Sequence, residues 1–337
     1  MSQGNGRTGG WLRSFRALQA EGLGVLDVGA RAGITPALRS AAPLLDVVGL
    51  EPDAEEARRL SRQGNGASSF RSLRYLSVAL GREDGQRSLN VCRSPGGSSF
   101  LQPNRPFLDR FPDAGRSDVV GTVSVAVRSL DSLRREQGGG LPAHIDFIKL
   151  DTQGSEADIL DGAAETLKAD VVAVEIEVLF APLYERQPVF RDVDARLAAA
   201  GFTLFKLRRQ ELVRRAFAQQ AHLSAGQLIF GDALYLRDPL GGPWAPRDAR
   251  QLEALLLTAS LYDLHDFALE ILSHERLARL AAEQGQELRR TIERRSRRLG
   301  SLVEQLRVIR GRWLSADGMK RYAGRWARGD DNFYSPL

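Results

Sequence analysis

The stretch that most constrains the fold of this chain runs from Val25 to Gly33, with the sequence VLDVGARAG. It reads as a strand, a glycine turn and the start of a helix, and Glu51 closes the apolar run that follows. In open α/β sheets, ligands bind outside the carboxyl ends of the strands, and an acidic residue about 20 positions after the glycine turn accepts ribose hydroxyls. The pattern therefore predicts a nucleotide-like ligand at the edge of a parallel sheet.

The rest of the chain repeats this alternation of strands and helices. Helices are predicted at 11–21, after the N-cap residue Thr35, and at 53–63, 155–167 and 189–200. Strands are predicted at 25–28, 46–50, 73–80, 88–92, 119–127, 146–150, 171–177, 202–207 and 233–236. This order predicts an α/β fold with a Rossmann-like, doubly wound parallel sheet. A cluster of Pro and Gly at 238–243 ends it. We expect an N-terminal helix within 1–20, a main domain at 21–237 and a basic α-helical C-terminal extension at 248–337.

Composition excludes several classes of site. The 337 residues include one cysteine, Cys92, so an internal disulfide or a cysteine-built zinc site is excluded. The four histidines are scattered without metal-ligand spacing, and we expect no metal site. The first residues lack the apolar core of a signal peptide, and no apolar run approaches the roughly 20 residues of a membrane span. A cytoplasmic protein is expected.

The glycine turn itself favours one ligand over another. A dinucleotide fingerprint needs a second glycine where this chain has Arg31. Asp27, just before the turn, would repel a pyrophosphate but would attract a cation. S-adenosylmethionine carries a sulfonium and an ammonium group, so the turn favours this methyl donor over a nicotinamide cofactor. The alternative is that Gly29 and Gly33 only permit a tight turn in another kind of α/β protein.

A second acidic cluster follows the strand predicted at 146–150. Asp151 ends this strand on the same rim as Gly29 and is the first candidate for a base that accepts a hydroxyl proton. Glu175 is the second candidate, because we expect it to end the next strand. The alternative is a salt-bridge network with Lys149 and Arg128. Glu156 is either a helix-start residue, favoured there by the helix dipole, or a site residue.

A Gly-, Pro- and Ser-rich insertion spans Arg93 to Asp118. Long irregular segments of this kind often carry function. We expect Ser98, Ser99 and Phe100 to fold over the cofactor side and to shape the acceptor pocket, the alternative being that the serines are ordinary turn residues.

Taken in order, these motifs resemble the FkbM-type family of S-adenosylmethionine-dependent methyltransferases. The resemblance covers about residues 23–236. Arg31 and Gln153 depart from the commonest pattern, since Asn is usual at the first position and Glu is frequent at the second. The matching motifs are DVGA at 27–30, EP at 51–52, VALG at 78–81, the pair Ser98 and Ser99, VRSLD at 127–131, FIKLDTQGSE at 147–156, VEIE at 174–177 and GF at 201–202.

The resemblance implies a class I methyltransferase fold and methyl transfer from S-adenosylmethionine to a hydroxyl oxygen. Members modify glycans or secondary metabolites, so a sugar hydroxyl of a surface glycan is the leading acceptor. The implied cofactor-binding residues are Asp27, Gly29, Ala30, Gly33, Glu51 and Ala79. Asp151 and Glu175 are the catalytic candidates, and Ser98, Ser99 and Glu156 are the substrate-binding candidates.

The C-terminal part is strongly basic. Between Arg276 and Arg328, 15 Lys and Arg accompany 5 Asp and Glu, so this part carries +10 while the net charge of the whole chain is +5. A heptad-like seam crosses it at Leu277, Ala281, Gln284, Leu288, Ile292, Arg295, Leu299, Leu302, Leu306, Ile309 and Trp313.

The seam favours a helix that packs on the body or on a twin helix in a homodimer. Attachment to an anionic surface at the inner face of the membrane and nucleic-acid binding are the alternatives, with nucleic acid the weaker. A nucleic-acid methyltransferase and a non-catalytic S-adenosylmethionine-binding protein are the alternative functions.

Overall fold

The computed structural model describes residues 10–64, 69–136, 140–220, 223–281 and 284–297. Within these residues the strands are β1 (Leu23–Val28), β2 (Leu45–Leu50), β3 (Ser72–Leu76), β4 (Ala79–Leu80), β5 (Gly85–Cys92), β6 (Val119–Arg128), β7 (Phe147–Leu150), β8 (Ala173–Leu179), β9 (Phe202–Leu212) and β10 (Gln227–Arg237).

The α-helices in the same ranges are α1 (Arg16–Glu21), α2 (Ala54–Gly64), α3 (Arg105–Leu108), α4 (Leu130–Arg135), α5 (Glu156–Asp161), α6 (Ala164–Ala169), α7 (Phe190–Ala199), α8 (Ala249–Leu261), α9 (His265–Ser273), α10 (Glu275–Ala281) and α11 (285–297). Short 3₁₀ helices, among them Gly10–Ser14 and Pro36–Leu44, complete the helical segments.

Seven strands form the central sheet in the order β3-β2-β1-β7-β8-β10-β9. The first five are parallel, and the order of the strands reverses between β1 and β7, which opens a crevice at the carboxyl ends of these strands. The predicted Rossmann-like α/β fold is confirmed. The sheet is not wholly parallel, however, because β10 runs antiparallel to β8 and to β9. Neighbouring antiparallel strands such as β9 and β10 need no crossover helix between them.

Helices cover both faces of the sheet, as the term doubly wound implies. One face packs against α1, the Pro36–Leu44 helix, α8 and α9, and the other against α4 to α7. Arg250 of α8 forms a buried ion pair with Asp146, at 2.6 Å between Nη2 and Oδ2. The helices after residue 248 therefore share a hydrophobic core with the sheet.

A second sheet, in the order β4-β6-β5, lies beside the carboxyl edge of the first. The single strand predicted at 73–80 is in fact two strands. The first ends at Leu76 in the central sheet, and the second, β4, pairs with β6 in the second sheet. The segment after Thr35 is a 3₁₀ helix rather than an α-helix, and Pro43 inside it cannot donate a backbone hydrogen bond. Thr35 makes no side-chain cap hydrogen bond there.

Part of the basic seam packs on the body. Leu277, Ala281, Leu288 and Ile292 are buried in the same core as α8 and β1. Seam positions from Leu299 to Trp313, and the aromatic residues beyond them, lie outside the described residues. In the part of the chain that the structure describes, no helix is both long and apolar enough to cross a membrane.

Candidate functional site

The ends of β1, β2 and β7 are tied together by backbone hydrogen bonds. The Gly29 amide donates to the Leu50 carbonyl at 3.0 Å, and the Asp151 amide donates to the Val28 carbonyl at 3.1 Å. Gly29 adopts a φ of +80°, and a Cβ at this position would lie 2.0 Å from the Asp151 carbonyl oxygen. Glycine is therefore required where the turn after β1 meets the loop after β7.

A cavity of about 670 Å³ opens on this rim. It brings together five of the residues named from the sequence, namely Gly29, Glu51, Ala79, Ser98 and Asp151. They come from five separate parts of the chain. Gly29, Glu51 and Asp151 follow strands of the central sheet, Ala79 lies in β4 of the second sheet and Ser98 lies in the insertion. The volume lies within the range of small-molecule sites.

Glu51 forms one end of the cavity with its carboxylate almost fully buried. Its Oε1 accepts a hydrogen bond from the Asp53 amide at 3.1 Å and lies 3.5 Å from Nη2 of Arg31. Both contacts use Oε1, so Oε2 is the atom placed to accept a ligand hydroxyl. Burial raises the pKa of the Glu51 carboxyl. Arg31 also pairs with Asp53 at 3.0 Å, and so it fixes the acidic end of the cavity instead of approaching a phosphate.

Asp27 lies beneath the turn and is 1 % exposed. Its Oδ1 accepts a hydrogen bond from Nζ of Lys149 at 3.4 Å, while its buried Oδ2 has no partner among the residues that the structure describes. Burial raises the pKa of Asp27 to about 6, although Lys149 opposes the shift. Burial alone would lower the pKa of Lys149, but the carboxylates of Asp27, Asp151 and Glu175 raise it overall.

Asp151 faces the cavity at the junction with the insertion. Its Oδ2 lies 3.6 Å from Nζ of Lys149, which confirms that these two residues pair. Its Oδ1 accepts a hydrogen bond from the side-chain amide of Gln153 at 3.0 Å. The same amide donates to Oε2 of Glu177 at 2.8 Å. Burial, with the negative charges of Asp151 and other carboxylates, raises the pKa of Glu177 well above its ordinary value.

Glu175 does not line this cavity. The expectation that it ends its strand is wrong, since β8 continues to Leu179. Its carboxylate accepts a hydrogen bond from the hydroxyl of Tyr262, at the end of α8, and its burial raises its pKa. Glu177 lies two residues further along the strand and takes the place near the rim that was expected for Glu175.

Arg128 does not join the carboxylates of the rim. It pairs instead with Asp84 at 2.9 Å and with Glu136 at 2.5 Å. The network predicted as an alternative is therefore correct for Lys149 and wrong for Arg128. The reason is topological, because Arg128 belongs to β6 in the second sheet.

Glu156 and Ser99 support the loop after β7 from outside the cavity. The Glu156 carboxylate accepts hydrogen bonds from the Thr152 amide at 2.7 Å, the Thr152 hydroxyl at 3.0 Å and the Gly154 amide at 2.9 Å. The Ser99 hydroxyl donates to the carbonyl of Gln153 at 2.7 Å. Both side chains thus hold backbone rather than facing the opening.

The remaining sequence-predicted positions surround the turn after β1. Ala30 is fully buried against Gly49, which leaves no room for a larger residue. Gly33 has a φ of +75° and lies beside a neighbouring pocket instead of the main cavity. Ser98 lines the main cavity, and its hydroxyl accepts a hydrogen bond from the Cys92 amide at 3.1 Å.

Sequence reasoning missed the wall opposite the rim. The second sheet turns an aliphatic face toward the cavity, formed by Leu89, Val91, Val123 and Val125, and Phe100 of the insertion extends it. The alternation of these residues along β5 and β6 was a usable signal. Glu177 and Tyr184 were also missed as individual residues. Successive side chains of a strand point to opposite faces, so the motif at 174–177 puts Glu175 and Glu177 on the same face, with Glu177 closer to the rim. This alternation was the available signal for Glu177.

No group of His, Cys, Asp and Glu side chains within the described ranges is arranged to hold a metal ion.

Comparison with known proteins places the chain in a family. The model of the methyltransferase FkbM domain matches residues 27–204, more than half of the 337 residues. No curated protein matches.

Solved structures that are similar to this chain include three methyltransferases. Methyltransferase FkbM from Methylobacillus flagellatus KT is 14% identical with a TM-score of 0.36, over 64% of this chain and 44% of that one. This chain thus covers less than half of that protein. Magnesium protoporphyrin IX methyltransferase from Synechocystis PCC 6803 with bound SAM is 10% identical with a TM-score of 0.33, over 70% and 86% of the two chains. Precorrin-6y C5,15-methyltransferase from Geobacter metallireducens GS-15 is 9% identical with a TM-score of 0.32, over 67% and 87%.

The family match begins at Asp27 and includes Gly29, Glu51, Ser98 and Asp151, the residues whose geometry is given above. On the strength of that match, this chain is a member of the FkbM methyltransferase family.

Proposed function

We propose that this protein transfers a methyl group from S-adenosylmethionine to a hydroxyl oxygen, with a sugar of a surface glycan or a secondary metabolite as acceptor. The observation that carries the proposal is that one cavity joins Gly29 and Glu51 of the cofactor set to Asp151 and Ser98 of the acceptor set. A donor and an acceptor bound there would lie next to each other.

The residues of the rim suit this cofactor. Asp27 does not line the cavity, but it directly precedes Val28 and Gly29, which do, so the negative charge of its buried carboxylate favours a cationic ligand there. Glu51 offers Oε2 to the ribose hydroxyls. Pro52, Val78 and Ala79 provide an apolar surface beside it, which suits a purine ring.

When bound, S-adenosylmethionine supplies a methyl group activated by its sulfonium sulfur. The chain itself contributes position and charge. Asp151 is placed to accept the proton of the acceptor hydroxyl while the hydroxyl oxygen bonds to the methyl carbon and the bond from that carbon to sulfur breaks. General-base assistance of this kind contributes about 10²- to 10⁴-fold. Lys149 holds Oδ2 of Asp151, and the aliphatic wall excludes water that would compete for the methyl group.

Calorimetry with S-adenosylmethionine tests the cofactor site. We expect Glu51→Ala to weaken binding about 10- to 100-fold, because two charge-assisted hydrogen bonds are lost. Glu83→Ala removes an exposed glutamate outside the cavity and is the matched control. If the wild-type chain does not bind the donor, or if Glu51→Ala binds it equally well, the proposed site is wrong.

The acceptor is tested in cells and with a second variant. A strain lacking this protein should lack one methyl group on an envelope glycan or a secreted metabolite, as detected by mass spectrometry. Asp151→Asn should retain donor affinity and lose transfer by about 10²-fold or more. Retained transfer in this variant would remove Asp151 from the proposal, while donor binding with no methylated product in any fraction would favour a non-catalytic binding protein.

A further inference from the structure

Gln153 occupies an unusual position in the loop after β7. Its φ is +59°, a left-handed conformation that few residues other than glycine adopt. Gly154 follows with a φ of +103°. Strain of this kind persists only where the surroundings enforce it. Here Glu156 enforces it through its three hydrogen bonds to the loop.

Both polar atoms of the Gln153 side chain, Nε2 and Oε1, are hydrogen-bonded. Its Nε2 donates to Oδ1 of Asp151 at 3.0 Å and to Oε2 of Glu177 at 2.8 Å, which uses both amide hydrogens. Its Oε1 accepts a hydrogen bond from the hydroxyl of Tyr184 at 2.9 Å. The amide nitrogen therefore faces the two carboxylates, and the amide oxygen faces the hydroxyl of Tyr184. The flipped amide would place its oxygen against two carboxylates, which would leave acceptor facing acceptor.

Gln153 also links the acidic rim to the insertion. Its carbonyl accepts from the hydroxyl of Ser99, which is 1 % exposed and pairs with Asn90 of β5 through the backbone. The hydroxyl of Tyr184 contacts the carbonyl of Gly97 as well, at 3.1 Å. One residue therefore connects the two carboxylates to the segment that carries Ser98.

We propose that Gln153 is a positioning residue for methyl transfer, whose amide holds the carboxylate of Asp151 toward the acceptor and couples that orientation to the insertion through Tyr184 and Ser99. This inference rests on the proposed function and deepens it, because it assigns to Gln153 a role that neither Asp151 nor the cofactor residues supply. Catalytic geometry tolerates little displacement, and an error of about 1 Å can cost about 10²-fold in rate.

In this chain the two hydrogen bonds to Asp151 and Glu177 are made by an amide, which a carboxylate at this position could not replace. Asp151 and Glu177 both present acceptor oxygens, and a neutral amide supplies one hydrogen to each without adding charge. A glutamate at position 153 would add a third negative group with no hydrogen to donate. One carboxyl of the three would then have to hold a proton to a higher pH than in the wild-type chain.

Other titratable groups face this array from the elements around it and are the same in the two glutamate variants. They are Lys149 of β7, Asp27 of β1, Glu156 of α5, Glu175 of β8, Asp232 of β10, Cys92 of β5 and the phenol of Tyr184. A pH effect specific to the variant at position 153 is thus assigned to the new group and its two neighbours.

The experiment compares Gln153→Glu with Gln102→Glu in the full chain. Gln102 is an exposed residue of the insertion that pairs with Asn90, so its substitution adds the same charge away from the array. The first readout is unfolding by urea between pH 5 and 8. Crowding by two carboxylates raises the folded-state pKa of the added group above its unfolded value, so Gln153→Glu loses stability relative to the control as pH rises through this window.

The second readout is the pH profile of methyl transfer to the acceptor found by mass spectrometry, with kcat and KM separated. We expect the acid limb of the kcat profile of Gln153→Glu to move up by about one pH unit relative to Gln102→Glu. Tyr184→Phe, which removes a single hydroxyl and keeps the ring, should lower kcat about threefold to tenfold with an acceptor KM within twofold of the wild type.

Each measurement can overturn either the role of Gln153 or the proposed function. A pH-independent stability difference between the two glutamate variants overturns the inference without any acceptor being needed. Superimposable pH profiles overturn it as well, and so does an unchanged kcat in Tyr184→Phe. Failure of the wild-type chain to bind S-adenosylmethionine would instead refute the proposed function, so the two failures are told apart.

Discussion

Replacing Asp27 with asparagine removes one buried ionisable group from the rim and nearly preserves the shape of the side chain. Asp27 is 1 % exposed, and its Oδ2 lacks a partner among the described residues. In the absence of a cationic ligand, its ionisation is a cost to the folded state. Asp27→Asn should therefore stabilise the ligand-free protein near neutral pH. The same substitution should weaken donor binding. Residues that serve a binding site often lower the stability of the protein in this way.

The magnitude follows from the pKa of the group. Burial raises the pKa of Asp27 from 3.8 to about 6. A shift of this size corresponds to about 3 kcal/mol, at about 1.4 kcal/mol for each unit. Between these two values the unfolded chain releases its proton while the folded chain keeps it, so wild-type stability falls as pH rises. Above about pH 6 the penalty is complete and constant.

Urea unfolding of the wild type and of Asp27→Asn at pH 4, 5, 6 and 7 measures this effect. The free energy of unfolding of the variant minus that of the wild type should increase by about 2.5 kcal/mol from pH 4 to pH 7, since the unfolded chain has already begun to ionise at pH 4. Glu83→Gln, at an exposed site, controls for the loss of a carboxylate as such. A difference that does not change with pH, or one that falls as pH rises, would refute the reasoning about Asp27.

Two further substitutions test the rim and the packing of the C-terminal helices. Gly29→Ala should lower the free energy of unfolding by about 2–4 kcal/mol, because an alanine there would have a positive φ and would clash with the carbonyl of Asp151. Gly33→Ala should lower it by only about 1 kcal/mol, because its φ is also positive but nothing lies within 4 Å of its Cβ. Equal losses in thermal or urea unfolding would contradict this pairing. Arg250→Ala should cost about 3–5 kcal/mol, because it leaves the carboxylate of Asp146 buried without its partner, and a loss below 1 kcal/mol would show that α8 is not integral to the core.

The sheet was predictable from the sequence because its strands are apolar runs bounded by glycine turns. The break between α5 and α6 was not, although Gly162 stands inside the helix predicted at 155–167. A Cβ on Gly162 would lie 2.1 Å from the carbonyl oxygen of Gly81, so the reason for the glycine is a long-range approach of the second sheet. Helical periodicity contains no information about such contacts.

The candidate site was predictable where a residue ends a strand, and less so elsewhere. Asp151 and Glu51 follow directly from strand ends on one rim. Glu175 and Glu177 share a face of β8, and only the length of the strand, with its antiparallel partner β10, shows which of them approaches Asp151. The roles of Gln153 and Tyr184 depend on residues that are distant in sequence and that meet through the insertion.

Co-crystallisation with S-adenosylhomocysteine, the demethylated form of the cofactor, tests most directly whether one cavity serves both donor and acceptor. Density should fill the cavity with the ribose hydroxyls on Oε2 of Glu51 and with the thioether sulfur directed toward the space between Asp151 and the aliphatic wall. Density in another pocket, or a sulfur directed away from Asp151, would contradict the central claim that this rim joins the donor to the acceptor.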